Sequence, residues 1–399
     1  MPLTRHFYEA DEVRSALYYT ASRRDLKECE FWCHEMIVSG YESEAISVLF
    51  ESWLWQRGPF YLRWLIDTGS ILMADEVTHD DILNAAVQLS AFGEWDNSVW
   101  TILTATDQVV DRVTPKTPSF VPKDCSEEVL YLYRALYQGK ARSAFLMSRK
   151  INDVWAILKE YGTHLCVEYD TCFTILERYE LLLGYRSDKY DVVILCVAVL
   201  MLCLSDKKRV ASFLPRSTPA RILSLPIGAE AALPIGAEAA LPIGTKAARL
   251  YSIPSVALYG TARGLSLCSE YHTNGLHDIE KAIKGCPFWD DALKEYQRQG
   301  KWVSDDALKA FYDEYFPNDI PDEWSKEEKM KSHGQGLLNK GEKMTLVRYA
   351  RIHFMKPSRL GFTIKGRKLD DEGSNPLDAI RLDESVEIIM KPIRRKYKI

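Results

Sequence analysis

Residues 192–204 read Val-Val-Ile-Leu-Cys-Val-Ala-Val-Leu-Met-Leu-Cys-Leu, an apolar run held between Asp191 and Asp206-Lys207-Lys208-Arg209. A helix that spans a bilayer needs about 20 apolar residues, so this run is too short to cross one. It reads instead as a helix buried inside a folded body. The composition agrees: 47% hydrophobic, 27% charged and 11% aromatic residues in 399 describe a globular chain with more than one core. The net charge of −5 bears on solubility and names no partner.

The sequence before that run reads as consecutive helices. Leu26, Cys29, Trp32, Cys33, Met36 and Ile37 recur at helical spacing, and Gly40 ends the pattern. Asp25 with Glu28 forms a capping pair at its start. Ala45, Ile46, Leu49, Phe50, Trp53 and Leu54 share a face before Gly58-Pro59. Further helices are expected over 80–92, 126–138, 152–161, 168–183 and 189–204. Short turns between them favour antiparallel neighbours, and no repeat of 33 to 47 residues identifies a solenoid.

Residues 211–255 are different in kind. Leu225-Pro-Ile-Gly-Ala-Glu-Ala-Ala recurs unchanged at Leu233 and as Leu-Pro-Ile-Gly-Thr-Lys-Ala-Ala at Leu241. A Pro and a Gly in each octad forbid one continuous helix, and the stretch reads as a linker. Beyond it, helices are expected at 277–284, at 287–299, and from a Ser304 cap to Tyr315, with a capping box at Ser325 and Glu328. The last sixty residues carry strand-like runs at 346–354, 361–369 and 385–390. From Lys326 onward there are 18 Lys and Arg against 10 Asp and Glu, a local +8 in a chain of −5 overall.

The expected architecture is therefore mainly α, a multi-helix bundle or irregular helical array with a small basic α+β C-terminal region. Its divisions are a helical domain at 1–210, the linker at 211–255, a smaller helical region at 256–335 and the basic tail at 336–399.

Reactive chemistry is sparse. The nine cysteines are scattered at 29, 33, 125, 166, 172, 196, 203, 268 and 286, which suits reduced thiols in a chain that is not secreted. Its first residues, Met-Pro-Leu-Thr-Arg-His, form no apolar signal stretch. Cys29, Cys33 and His34 lack a second ligand pair, and His164, Cys166 and Cys172 make an equally loose group. His34-Glu35 begins a metalloprotease-like helix, but Val38 stands where the second His belongs. Gly361 and Gly366 precede Arg367-Lys368 rather than the Lys-Ser/Thr of a phosphate loop, and Gly334-Gln-Gly336 lacks a third glycine. Asp322, Glu323 and Lys326 echo a metal-dependent nuclease, yet a turn and a helix cap ask for the same residues. No motif calls for a cofactor.

The basic tail has the one evident physical target. Lys365, Arg367, Lys368, Arg394, Arg395, Lys396, Tyr397 and Lys398 suit contact with phosphates and stacking on bases. They suit an acidic protein surface equally well.

Two stretches carry a resemblance. Leu3-Thr-Arg-His-Phe-Tyr-Glu-Ala-Asp-Glu-Val13, leading into Glu30-Phe-Trp-Cys-His-Glu35, resembles the opening of an uncharacterised helical protein family of nucleocytoplasmic large DNA viruses. Gly285-Cys-Pro-Phe-Trp289, Ile320-Pro-Asp-Glu-Trp-Ser-Lys326 and Lys331-Ser-His-Gly334 resemble later segments of the same family. The matched residues make up about a tenth of the chain, and the octads are no part of the resemblance. It implies a viral protein of the host cytoplasm, viral factory or virion, and it brings no activity with it. Phe7 and Tyr8 suit a staple for the first helix. Arg5 and His6 suit capping carbonyls or lining a contact surface, and Trp289 and Trp324 suit anchors between helices. The expected function is a non-catalytic structural or assembly protein working through contacts with viral or host proteins. A replication or transcription accessory using the basic tail on nucleic acid is the alternative, and an enzyme with a dispersed site is the third possibility.

Overall fold

A computed structural model describes residues 2–5, 10–23, 26–91, 98–104, 112–122, 124–203 and 283–315. The linker at 211–255, the capping residues Asp25, Ser325 and Glu328, the staple residues Phe7 and Tyr8, and His6 and Trp324 lie outside the described residues. So do the glycine motifs at 334–336 and 361–366, the nuclease-like residues at 321–326 and the tail from Lys365 to Lys398. What is described is mainly α-helical, with one two-stranded hairpin. It divides into two compact units.

The first unit draws on residues within 1–49, 76–92 and 283–315. It contains α1 (Ala10–Arg23), α2 (Leu26–Val38), the first half of α3 (Glu42–Gln56) and α5 (His79–Ala91). In α1, Ala10, Val13, Leu17 and Ala21 form the buried stripe, with Ala16 beside them. The Thr20 hydroxyl, also buried, donates to the carbonyl of Ala16 at 2.8 Å and so is not left unsatisfied. In α2 the expected stripe is buried from Cys29 to Ile37.

Helix α5 is started by a reciprocal cap. The Thr78 Oγ1 accepts from the Asp81 N–H at 3.2 Å, and the Asp81 carboxylate accepts from the Thr78 N–H at 3.0 Å. Ile82, Ala85, Ala86 and Leu89 then face inward. Helices α2 and α5 meet along a thiol seam. Cys29 Sγ donates to the Ala86 carbonyl at 3.6 Å and Cys33 Sγ to the Ile82 carbonyl at 3.8 Å. Four residues up one helix match four residues down the other, so the pair runs antiparallel.

The later part of this unit is α13 (Pro287–Tyr296), β1 (Gln297–Arg298), β2 (Lys301–Trp302) and α14 (Asp305–Tyr315). Periodicity alone carries a helix from 287 to 299, but the structure ends it at Tyr296. Gln299 and Gly300 both take positive φ, 52° and 73°. This is the two-residue turn that suits the twist of a hairpin, pairing Gln297 with Trp302 and Arg298 with Lys301. The hairpin brings Trp302 to 5.3 Å from Phe311, which also meets Tyr296 at 5.5 Å and Trp289 at 6.4 Å. Ser304 caps α14 as its sequence indicates, accepting from the Ala307 N–H at 3.1 Å.

The second unit draws on residues within 50–75 and 98–203. Besides the second half of α3 it holds a short 3₁₀ turn (Gly58–Phe60), α4 (Leu62–Leu72), α6 (Ser98–Thr104) and α7 (Glu127–Tyr137). These are followed by α8 (Ala141–Ser148), α9 (Val154–Leu165), α10 (Glu168–Glu177), α11 (Glu180–Leu183) and α12 (Asp188–Cys203). Helix α12 carries the apolar run quoted above. Every residue from Val193 to Leu202 is buried, as expected of a helix apolar on all sides. The 3₁₀ turn and α6 to α10 pack against it. Trp53 lies between Phe50 and Trp64, stacked on them at 5.8 and 6.1 Å, and its indole N–H donates to the Tyr61 carbonyl at 2.9 Å. Ser126 caps α7 through the Val129 N–H at 3.3 Å. Sequence periodicity carries one helix over 168–183, but the structure breaks it between Glu177 and Glu180. It also places the helix expected at 152–161 two residues later in its start and four in its end. No helix among the described residues is long and apolar enough to cross a membrane.

Candidate functional site

The motifs at the two ends of the described chain are brought together in the first unit. Helix α2 ends in a turn with Gly40 at φ +80°, where the Gly40 N–H bonds the Ile37 carbonyl and the Tyr41 N–H the Met36 carbonyl, both at 2.9 Å. Residues 285–289 dock on this turn. The Phe288 N–H donates to the Ser39 carbonyl at 3.2 Å, and the Tyr41 hydroxyl donates to the Gly285 carbonyl at 3.3 Å. Pro287 approaches so closely that a Cβ on residue 40 would stand 2.6 Å from its own Cβ.

Residues 2–5 close the arrangement. The Trp289 indole N–H donates to the Thr4 carbonyl at 3.0 Å, and the Arg5 N–H donates to Ser39 Oγ at 2.9 Å. The Arg5 guanidinium lies 4.7 Å from the centre of the Phe288 ring. Trp289 is therefore an anchor in a core, as its sequence setting suggests, and Arg5 takes part in the same contact through the Phe288 ring. Cys286 is buried, donates to the Ser39 carbonyl at 3.4 Å, and burial pushes its thiol up to about 11. This clasp has the character of structure, not of chemistry.

Cys33, Cys166, Cys172 and Cys196 are shifted in the same direction. No cysteine among the described residues is in a disulfide. Burial raises Cys33 well above the ordinary thiol range, with Cys29 and Glu30 adding to the effect. It raises Cys172 to about 12 and also raises Cys166, whose thiol bonds the Glu168 carboxylate. His164 stacks on Phe120 at 4.5 Å. A nucleophile or metal ligand needs its thiolate within reach of neutral pH, and these environments work against it. Among the described residues no three His, Cys, Asp or Glu gather in a way that could hold a metal.

The surface of the second unit offers a different kind of site. Between α11 and α12, Gly184 takes φ +77° and ends the short helix. The chain then runs Tyr185-Arg186-Ser187 into α12. The Tyr179 hydroxyl lies 2.9 Å from the Asp191 carboxylate and 3.1 Å from the Ser187 carbonyl, and accepts from the Ser187 N–H at 3.2 Å. Arg186 pairs with Asp191 at 3.2 Å and Glu180 at 3.9 Å. Its guanidinium stands 5.6 Å from the Tyr179 ring.

Tyr185 meets Tyr190 edge-on at 5.7 Å, and the Tyr190 hydroxyl bonds the Glu51 carboxylate. Burial raises Tyr179 and Tyr185 to about 12, so both phenols stay neutral donors. Asp191 raises Arg186, and the guanidinium stays charged. Yet Leu181 is 45% and Tyr185 50% exposed. Tyr, Arg and Leu are thus presented to solvent on a scaffold whose geometry is already fixed, which lowers the entropy lost when a partner binds. The helices expected at 168–183 and 189–204 leave a turn at this corner, but their spacing does not show that Tyr185 and Arg186 are held against Tyr190 and Asp191. The signal for the turn is Gly184 followed by Ser187-Asp188, a helix stop and a helix start three residues apart.

No protein-family model, curated protein or solved structure matches the chain.

Proposed function

We propose that the protein is a non-catalytic structural or assembly protein, working through contacts with other proteins in cells infected by a large DNA virus. The ordered and exposed corner of Leu181, Tyr185 and Arg186 carries this reading. The thiols raised by burial support it from the other side, since they are poor nucleophiles. The viral setting rests on the resemblance of residues 3–13, 30–35 and 285–289. Parts of two of those stretches, residues 3–5 and 285–289, form one clasp, which suits a chain whose task is to hold shape.

The test is quantitative co-purification from cells making the full chain, wild type against Leu181→Ala/Tyr185→Ala, with melting curves of both. Loss of specific partners at unchanged melting temperature is the expected result. An unchanged partner set would overturn the assignment to this corner. The positive charge beyond Lys326 favours a second reading, nucleic-acid contact through Lys365, Arg367, Lys368 and the Arg394 to Lys398 cluster. Its mark is binding to DNA or RNA that weakens steeply with salt and disappears on truncation after Lys340.

A further inference from the structure

Residues 112–122 run without regular structure along α7, in the sequence Arg112-Val-Thr-Pro-Lys-Thr-Pro-Ser-Phe-Val-Pro122. Four hydrogen bonds from one glutamine fasten this strap. Gln138 Oε1 accepts from the Thr114 N–H at 2.9 Å and the Thr114 Oγ1 at 3.0 Å. Its Nε2 donates to the carbonyls of Thr114 at 2.9 Å and Lys116 at 3.0 Å. Arg134 adds a bond to Thr117 Oγ1 at 2.9 Å, and Lys116 lies over the Tyr137 ring at 5.5 Å. At the far end Phe120 covers Tyr133 and Tyr161, both buried, and stacks on His164.

Two Thr-Pro steps fall in this strap. A residue before proline is kept out of the helical region, so Thr114 and Thr117 are presented in extended backbone, the form in which a kinase cleft takes its substrate. They are not equivalent. Thr114, Pro115 and Lys116 are all exposed, while Thr117 is half-buried next to buried Pro118. Thr117 Oγ1 is also engaged twice, accepting from Arg134 and donating to the Pro115 carbonyl at 3.0 Å.

We propose that Thr114 is a phosphorylation site for a proline-directed serine/threonine kinase, and that its phosphorylation unfastens the strap from α7. The γ-phosphoryl group of ATP moves to Thr114 Oγ1. A P–Oγ1 bond forms, the bond from the γ-phosphorus to the bridging oxygen breaks, ADP leaves and the hydroxyl proton is released. The hydroxyl that donated to Gln138 Oε1 becomes a dianionic acceptor facing another acceptor. Turning the amide over does not repair the site, because Nε2 would then face the Thr114 N–H and lose both carbonyls. The new charge also lies at the C-terminal end of α7, where the helix dipole disfavours an anion. Lifting the strap takes Phe120 off Tyr133 and Tyr161, so a covered aromatic pair becomes available for contact.

The experiment uses the full chain, a proline-directed kinase and ATP, with phosphopeptide mapping and hydrogen exchange. Thr218-Pro219, the remaining Thr-Pro step, reports that the kinase is working. Phosphate on Thr114 ahead of Thr117 is expected, with about tenfold faster exchange over 131–138 than in kinase-treated Thr114→Val. Phosphate on Thr218 alone, or on Thr117 first, would overturn the site. Full phosphorylation of Thr114 with exchange unchanged would overturn the unfastening.

Discussion

The two units close their cores in different ways. The first is fastened by backbone and side-chain bonds between residues far apart in sequence, such as Thr4 with Trp289 and Ser39 with Phe288. The second is wrapped around one apolar helix, α12, by helices that come mostly just before it in the chain. The first depends on a few particular contacts and on one turn shape. The second depends on bulk apolar burial spread over many residues. Damage should therefore be local and severe in the first unit, and graded with volume in the second.

Trp289→Ala sharpens this contrast most. It removes the buried ring and its bond to Thr4, an expected cost of about 3–5 kcal/mol. Hydrogen exchange should rise across 283–315 while α12 keeps its protection. Leu200→Ala, at a buried position of α12, should cost about 2–5 kcal/mol and weaken protection in α7 to α10 instead. If either variant loosened both regions equally, the contrast would be wrong.

A pair of glycines separates turn shape from close approach. Gly40 and Gly184 both have positive φ, but an added Cβ at Gly40 strikes Pro287 at 2.6 Å and at Gly184 meets nothing within 4 Å. Gly184→Ala should cost about 1 kcal/mol for the backbone alone. Gly40→Ala should cost about 1–2 kcal/mol more, read as a larger drop in urea midpoint. Equal costs would mean that the contact with Pro287 does not matter.

The smallest effect is one of pH. Burial raises the Glu30 carboxyl, so the folded chain holds that proton more tightly than the unfolded chain does. Its contribution to stability is full below the ordinary carboxyl range and is lost as pH rises through the raised value. Glu30→Gln should flatten that decline. A urea midpoint that falls with pH equally in variant and wild type would show that Glu30 is not the source.

Much of this was legible in the residues. The stripe of α2, the apolar run of α12, the Ser304 cap and the mainly α class all follow from spacing and capping chemistry. Helices α4 and α8 were missed because Thr68, Gly69 and Ser70, or the small residues of Ala141 to Ser148, blur an apolar stripe. The hairpin after α13 hid behind a Gln-Gly step, since glutamine rarely takes positive φ. The clasp was beyond reach for a different reason. Periodicity gives each helix an inner face but does not say that Thr4 meets Trp289. The turn at 184–187 follows from the helices expected on either side of it, but which side chains hold it in place does not. The tail residues from Lys365 to Lys398 rest on charge and, at Tyr397, on stacking, and they lie outside the described residues.

The central proposal, function through protein contacts at the Leu181–Tyr185–Arg186 corner, is tested most directly by partner recovery. Full-length wild type, Leu181→Ala/Tyr185→Ala and a chain ending at Lys340 should be purified side by side from cells making each one. The account predicts that the double variant melts like wild type yet loses its protein partners, while the truncated chain keeps them. Partners kept by the double variant and lost with the tail, in a salt-sensitive and nuclease-sensitive way, would contradict it.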